Sequence, residues 1–308
     1  MNIMTLINAL PGAVAQGLIW GIMAIGVYLT FRILDFADLT VDGSMCTGGA
    51  VCIMMMQAGF GVWPSMLAAT GAGMLTGLAT GIFHTCMGIP AILSGILTQL
   101  SLYSVNLKIM GKANQAISVG KYDLLVSLRY IKGVPFYQNT IFVVAVFILV
   151  LIAVRYWFFG TELGCAIRAT GCNSSMSRAQ GINTSFNKVL GLMVSNGLVA
   201  LSSALLAQYQ GFADVNMGRG AIVIGLAAVI IGEAVFSKIF RNFALRLLGV
   251  ALGSILYYLV LQTVIWLGID TDLLKLLSAI VVAIFLATPY WKGKYFSKPM
   301  KRGGNSNA

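Results

Sequence analysis

The sequence predicts an all-α fold: a polytopic transmembrane helical bundle of about eight or nine spans, with a helix broken near 35–44. Three observations carry this expectation. First, 58% of the 308 residues are hydrophobic and only 9% are charged, whereas a soluble domain carries roughly a quarter charged residues. Second, apolar runs recur along the chain at about the length, near 18 residues, that marks a membrane-crossing helix. Third, the net charge of +11 sits mainly in short connections and in the tail Lys292, Lys294, Lys298, Lys301 and Arg302. That is how bases distribute when they stay on the cytoplasmic side of a membrane, and it makes a nucleic-acid partner an unneeded explanation.

The spans fall in order at about 12–31, 43–60, 64–86, 91–110, 139–159, 187–208, 220–237, 246–267 and 272–289. The first ends at Arg32 and is followed by the polar stretch LDFADLTVDGS. The third stops before the Gly88-Ile89-Pro90 break, and the fifth is the most apolar. Gly73, Gly77 and Gly81 repeat at i, i+4 and i+8, as Gly17 and Gly21 do at i and i+4. Small residues at that spacing let helix backbones approach closely in lipid, so a tightly packed bundle is expected. Domain organisation is accordingly simple: a transmembrane domain over 1–291, a cytoplasmic loop within it at 161–183, and a basic cytoplasmic tail over 292–308.

Orientation follows from the bases. The tail, the 238–246 turn with Lys238, Arg241 and Arg246, and the 161–183 loop flanked by Arg155 and Lys188 all belong inside. With nine spans the N-terminus then lies outside, as does the 111–137 segment, although Lys112, Lys121, Arg129 and Lys132 outweigh Asp123 there. The N-terminus has no basic region ahead of its first apolar run and is not read as a cleaved signal peptide.

Catalysis is not expected. No Gly-rich loop ending in Gly-Lys-Ser/Thr is present to cradle ATP, and nine acids with one histidine leave little material for acid–base work. The five cysteines (Cys46, Cys52, Cys86, Cys165, Cys172) are odd in number and contain no CxxC pair, so they indicate neither a disulfide framework nor a zinc site. His84 has no nearby Cys, Asp or Glu and is a poor metal candidate. No cofactor and no metal are expected in this chain.

The informative residues are polar groups set in apolar surroundings. LDFADLTVDGS places Asp38, Thr40, Asp42 and Ser44 close together after Arg32 and Asp35. Carboxylates at membrane depth are costly and often functional. Two readings stay open: Asp38 and Asp42 as helix caps and pairing groups, or the whole patch as part of a path or gate in a broken helix. The fourth span carries Ser94, Thr98 and Ser101 on one face, with Gln99 beside them. The sixth carries Ser195, Asn196, Ser202, Ser203 and Gln208. These residues would either bond helices together or line a translocation path. Glu233, near the inner end of the seventh span, fits a salt bridge better than a proton relay.

The loop TELGCAIRATGCNSSMSRAQGIN, Thr161 to Asn183, is polar and punctuated by glycine and asparagine. It predicts two short helices. The first runs from Thr161 to Thr170 and ends at Gly171; the second is capped by Asn173 or Ser174 and closes at Gly181. Their exposed faces would carry Arg168, Ser174, Ser177 and Arg178. The apolar face is too small for a helix lying in lipid, which favours docking of another protein.

This loop resembles the cytoplasmic coupling loop of bacterial ABC importer permeases of the branched-chain amino acid and ribose type, through Leu163, Gly164, Ala169, Gly171, Asn173, Ala179, Gly181, Ile182 and Asn183. ADLTVDGS is similar to the Asp-Leu-Ser-Val-Gly-Ser segment of the sugar members, with Asp42 as an extra residue. Glu162 stands where a basic or neutral residue is more usual, and the sugar members carry one more N-terminal span. The LTVDGS form resembles a subgroup associated with tryptophan or tyrosine uptake. The resemblance implies a multi-pass permease of the bacterial plasma membrane that forms the substrate pathway of an ATP-driven importer. It further implies a separate ABC ATPase carrying ATP and magnesium, an extracytoplasmic substrate-binding lipoprotein and a permease homodimer. ATPase docking would then fall to Leu163, Gly164, Arg168, Gly171, Asn173, Arg178, Gly181 and Ile182. A sugar or nucleoside permease, or a stand-alone carrier or channel, is the alternative.

Overall fold

The structure is a computed structural model that describes residues 3–118, 122–131, 138–237, 239–240, 242–268, 273, 276, 279–280, 282–284 and 287. The expected ninth span at 272–289 falls mostly outside the described residues. The basic tail, Lys121, Lys132, Lys238 and Arg241 fall wholly outside them.

Ten α-helices follow in order among the described residues: α1 Ile3–Tyr28, α2 Val41–Gln57, α3 Val62–Thr85, α4 Ala91–Met110, α5 Thr140–Gly160, α6 Glu162–Cys172, α7 Ser174–Ala179, α8 Thr184–Gln210, α9 Ala221–Phe236 and α10 Phe243–Trp266. Five helical stretches are long and apolar enough to cross a membrane: Met4–Ile33, Val62–Thr85, Thr140–Gly160, Thr184–Gln210 and Phe243–Trp266. The chain is therefore an all-α, polytopic membrane bundle. The expected bounds of the fourth span coincide with α4. The first span was expected from residue 12, but α1 starts at Ile3 and keeps Pro11 inside it. Proline removes one backbone bond there without ending the helix, because the preceding turns lie at its outer end, where Met4 and Ile7 are exposed.

The core is organised around α8, which packs on α1, α2 and α3. Its most apolar window is 83% buried, whereas that of α5 is 17% buried, so α5 is a peripheral helix that packs on the bundle through one stripe, Val144, Ile148 and Ile152, and turns most of its side chains outward. The glycine stripe of α3 lies in the α3–α8 seam. A Cβ at Gly73 would run into Asn196 and Ala200, one at Gly77 into the Leu192 backbone, and one at Gly81 into Val189. Gly17 and Gly21 seat α1 against Ser254, Ile255 and Ala251 of α10 in the same way. In lipid, where apolar burial between helices brings little, such backbone approach is the main source of packing energy.

A two-stranded antiparallel ribbon was not anticipated. β1 Asn114–Ala116 pairs with β2 Phe212–Asp214, Gln115 facing Ala213. It ties the segment after α4 to the segment after α8 and marks one end of the bundle. The opposite end carries α6 and α7, joined to the start of α8 by a hydrogen bond from Asn187 to Thr170 (3.2 Å).

Besides the surface helices α6 and α7, two helices of the bundle are short. α2 has 17 residues and α9 has 16, about 25 Å each at 1.5 Å per residue. Their N-termini meet inside the bundle, where Asp42 in the first turn of α2 reaches the first turn of α9. From that point α2 runs to the ribbon end, where Gln57 donates to Ala116. α9 runs to the other end, where Glu233 meets Arg32.

Candidate functional site: a broken helix, a buried polar cluster and a surface loop

The break after α1 has a clear local cause. Its last turn widens into a π-helix at Leu29–Ile33, and the chain then leaves through Asp35, whose φ of +52° lies in the left-handed region that aspartate tolerates better than most residues. Leu34, Phe36, Asp38 and Thr40 are buried, whereas Asp35 and Ala37 are exposed, the alternation of extended backbone. Leu39 fits because Gly95 of α4 has no side chain there.

This segment carries Asp38 into the interior. Asp38 is 1% exposed and accepts from the Thr40 backbone N–H (2.9 Å) and from Asn196 Nδ2 (2.7 Å). Ser44 Oγ donates to Asn196 Oδ1 (2.5 Å) and shares a hydrogen bond with Thr76 Oγ1 (2.7 Å). Thr40 and Thr80 share one at 2.6 Å, and Thr80 donates to Thr98 at 2.9 Å. One continuous cluster thus joins the broken segment, α2, α3, α4 and α8, and its carboxylate is satisfied by neutral donors. Such a fully satisfied buried network fixes one arrangement, and loss of any member leaves its partners unpaired. Thr76 and Thr80 were missed in the sequence. Their i, i+4 spacing is a signal, but it lies beside the glycine stripe and is overshadowed by it.

The other expected path residues lie elsewhere. Asp42 is a cap, for α9 rather than for its own helix: its carboxylate accepts from Gly220 N and Ile222 N, both at 3.0 Å. Ser94 stays within α4, donating to Ala91 O (2.8 Å). Ser101, expected on the same face, is exposed. The polar residues of α8 divide between two seams instead of forming one stripe. Ser195 and Ser202 donate to the Gly26 and Ile19 carbonyls of α1, each at 2.7 Å. Asn196 and Ser203 face α2, Ser203 donating to the Met45 carbonyl. Gln99 is half-buried on the far side of α2, beside a cleft lined also by Asp42.

The 161–183 loop forms two short helices. Thr161 caps α6 by accepting from Gly164 N (3.3 Å), Asn173 caps α7 by accepting from Ser175 N and Met176 N (3.1 and 3.0 Å), and Asn183 caps α8. Gly181 has φ +80° and turns the chain between α7 and α8. Two expectations are corrected. Gly171 does not end the first helix, which continues to Cys172. Its missing side chain instead lets α6 lie on Ile33 and Leu34 at the break. Ser177 is buried, its hydroxyl donating to the Asn173 carbonyl (2.9 Å). Gly164 is likewise buried against Phe158 and Phe159, and Ile182 is half-buried. The outward surface is made by Leu163, Arg168, Asn173, Met176 and Arg178. Arg168 lies 5.7 Å from the centre of the Phe243 ring, a cation–π distance. Nearby, Arg32 pairs with Glu233 at 3.1 Å, so the partner of Glu233 comes from the end of α1. His84 and Lys188 meet at 3.4 Å at this same end.

Comparison with known proteins finds relatives over nearly the whole length of the chain. The family model for the branched-chain amino acid transport system permease component matches residues 10–286. A tyrosine transport system permease protein of Clostridioides difficile is 38% identical over 281 residues, covering 91% of each chain. An uncharacterised protein of Rickettsia prowazekii is 34% identical over 91% of this chain and 98% of its own. A fructose import permease protein of Bifidobacterium longum is 26% identical over 86% of this chain and 73% of its own. No solved structure matches. With a family match of that extent laid over a bundle of membrane-crossing helices, the chain belongs to the permease components of branched-chain amino acid type ABC transport systems.

Proposed function

We propose that this chain forms the translocation pathway of an ATP-driven importer for an amino acid, with an aromatic amino acid such as tyrosine or tryptophan as the favoured substrate. The similarity to a tyrosine transport system permease supports the substrate class. The observation that carries the mechanism is the placement of α6 on the broken helix. Gly171 sets α6 against Ile33 and Leu34, four residues ahead of Asp38 and its hydrogen-bonded cluster. A partner that pushes on the exposed face of α6 and α7 therefore acts directly on the segment entering the bundle.

In this reading a separate ATPase, which binds ATP and magnesium, docks on Leu163, Arg168, Asn173, Met176 and Arg178. Gly164, Gly171, Gly181 and Ile182 hold the loop in shape beneath them. An extracytoplasmic lipoprotein delivers substrate to a pathway formed with a second permease copy. Asp38, Thr40, Ser44, Thr98 and Asn196 act as the gate: a satisfied cluster in one state, re-paired in another, so that nucleotide binding biases a two-state bundle. Asp42, Ser94, Gln99 and Ser195 flank that gate. The α6–α7 end faces the cytoplasm, as its bases require, and the described part of α1 begins outside.

The test is co-purification of the permease with its ATPase and substrate uptake by the assembled complex. Met176→Asp with Arg178→Glu alters only exposed side chains. It is expected to abolish co-purification and to lower uptake about ten-fold or more, a change of roughly 1.4 kcal/mol in docking. Unchanged uptake and unchanged co-purification would remove the docking surface from this loop.

A further inference from the structure

Residues two apart on a helix point to nearly opposite sides. Thr40 and Ser44 face the Asp38 cluster, so Asp42 and Cys46 face the other way. There they form one wall of a cleft of about 400 Å³, completed by Gln99, Tyr103 and Asn106 of α4 and by Arg219 just before α9. The cleft lies where the N-termini of α2 and α9 meet and reaches toward the ribbon end, where Val215 follows β2.

Asn106 is 0% exposed, yet neither its Nδ2 nor its Oδ1 has a hydrogen-bond partner. A primary amide buried without partners is costly and rare, and this one lines the cleft. Arg219 also lines it. Its side chain is exposed and makes no ion pair among the described residues. The Asp42 carboxylate accepts from two backbone amides of α9 and keeps its charge, so the cleft presents a carboxylate and a guanidinium that form no direct ion pair with each other. The cleft therefore offers a guanidinium without a direct ion-pair partner, an amide with free donors and a free acceptor, the amide of Gln99, and an aromatic ring at its mouth, where Tyr103 is 43% exposed. Discontinuous helices near the middle of a membrane bundle are a frequent setting for solute sites, and the volume suits a small solute.

We propose that this cleft is a substrate half-site on the import route, which takes a free α-amino acid by its carboxylate at Arg219 and by its amino group at Asn106. The proposal rests on the import reading above and narrows it: a neutral sugar would give the guanidinium no direct ion-pair partner, which the carboxylate of an amino acid supplies. Asn106 and Arg219 thereby become substrate-contacting residues, whereas the Asp38 cluster acts as the gate beside them.

Two experiments decide it. In proteoliposomes holding the permease, its ATPase and its binding protein, uptake of radiolabelled L-tyrosine and D-fructose is compared. The wild type is expected to take up tyrosine and not fructose. Arg219→Gln and Asn106→Leu should each lower tyrosine uptake at least ten-fold, with Arg219→Lys retaining more than Arg219→Gln, in complexes that still co-purify. Wild-type tyrosine uptake by both Arg219→Gln and Asn106→Leu would overturn the half-site, and fructose uptake by the wild type would overturn the substrate class. Wild-type complexes that import neither solute would count against the import reading itself. The second experiment needs no partner. Tyr103→Cys, with exposed Cys86, Cys165 and Cys172 changed to serine, is labelled by a maleimide in detergent. L-Tyrosine should slow labelling several-fold and tyrosine methyl ester, which lacks the carboxylate, should not. Equal effects of the two, or no effect of either, would overturn the half-site even where variants fail to assemble.

Discussion

The Asp38 cluster and the α6–α7 loop are both polar regions in an apolar chain, and they are built in opposite ways. The cluster is buried, and its bonds join residues far apart in sequence: Thr40 to Thr80, Ser44 to Asn196, Asp38 to Asn196. The loop is largely exposed, and its bonds are short-range: Thr161, Asn173 and Asn183 each accept from an amide two or three residues ahead. Non-local bonds in the interior lock one arrangement of five elements and release it only together. Local caps hold a shape without help from the bundle, which is what a surface that engages a partner requires. The two regions touch through Gly171 at Ile33. The difference therefore separates two kinds of failure: damage to the cluster should cost stability, whereas damage to the loop should cost communication.

The strongest way to break that contrast lies in the seam beside the cluster. Gly77→Leu would drive a side chain into the Leu192 backbone of α8; α3 cannot yield without parting Thr76 from Ser44, nor α8 without parting Asn196 from Ser44. A loss of about 3 kcal/mol or more is expected, read as a collapse of the monodisperse fraction in detergent and a lower thermal midpoint. A variant as stable as the wild type would mean that the α3–α8 seam does not hold the cluster. Next in size is Asn196→Ala, which removes the amide on which Asp38 and Ser44 converge. Two buried groups are left short of partners, at a cost of about 2 kcal/mol, and the midpoint should fall by several degrees. Little change would indicate that water or a rearranged Thr76 replaces the amide and that the cluster is looser than its geometry.

The same contrast explains what could be read in advance. The five long spans were legible because apolar run length is a local property, whereas the expected second and seventh spans are the short helices α2 and α9; the bounds of α4 follow from Pro90 on one side and the left-handed Gly111 on the other. The two loop helices were legible because capping is local as well. The cluster was legible only as membership. Asp38, Thr40, Ser44, Thr98 and Asn196 stand out singly as polar residues in apolar runs, but nothing near Asp38 indicates Asn196 as its partner, 158 residues on. Gly171 shows the limit from the other side. A glycine late in a helix suggests a stop, yet its role is close approach to Ile33, which only the tertiary arrangement reveals. Asn106 and Arg219 were missed for the same reason: each looks ordinary until the meeting of α2 and α9 places them in one cleft.

The smallest expected effect is the most discriminating. Asn173→Ala removes the oxygen that accepts from Ser175 N and Met176 N and should cost about 1 kcal/mol. Because the loop is held locally, that cost should stay local. Hydrogen exchange at the Ser175 and Met176 amides should quicken by about five-fold, the equivalent of 1 kcal/mol in a local opening, while the thermal midpoint of the bundle stays at the wild-type value. A midpoint that falls as far as in Asn196→Ala would place α7 in the same cooperative unit as the cluster. Gly171 would then be a rigid joint, and motion would pass from loop to gate as one body. Faster exchange with an unchanged midpoint would instead make the contact at Ile33 a lever between two separately stable parts, able to transmit a push without unfolding either.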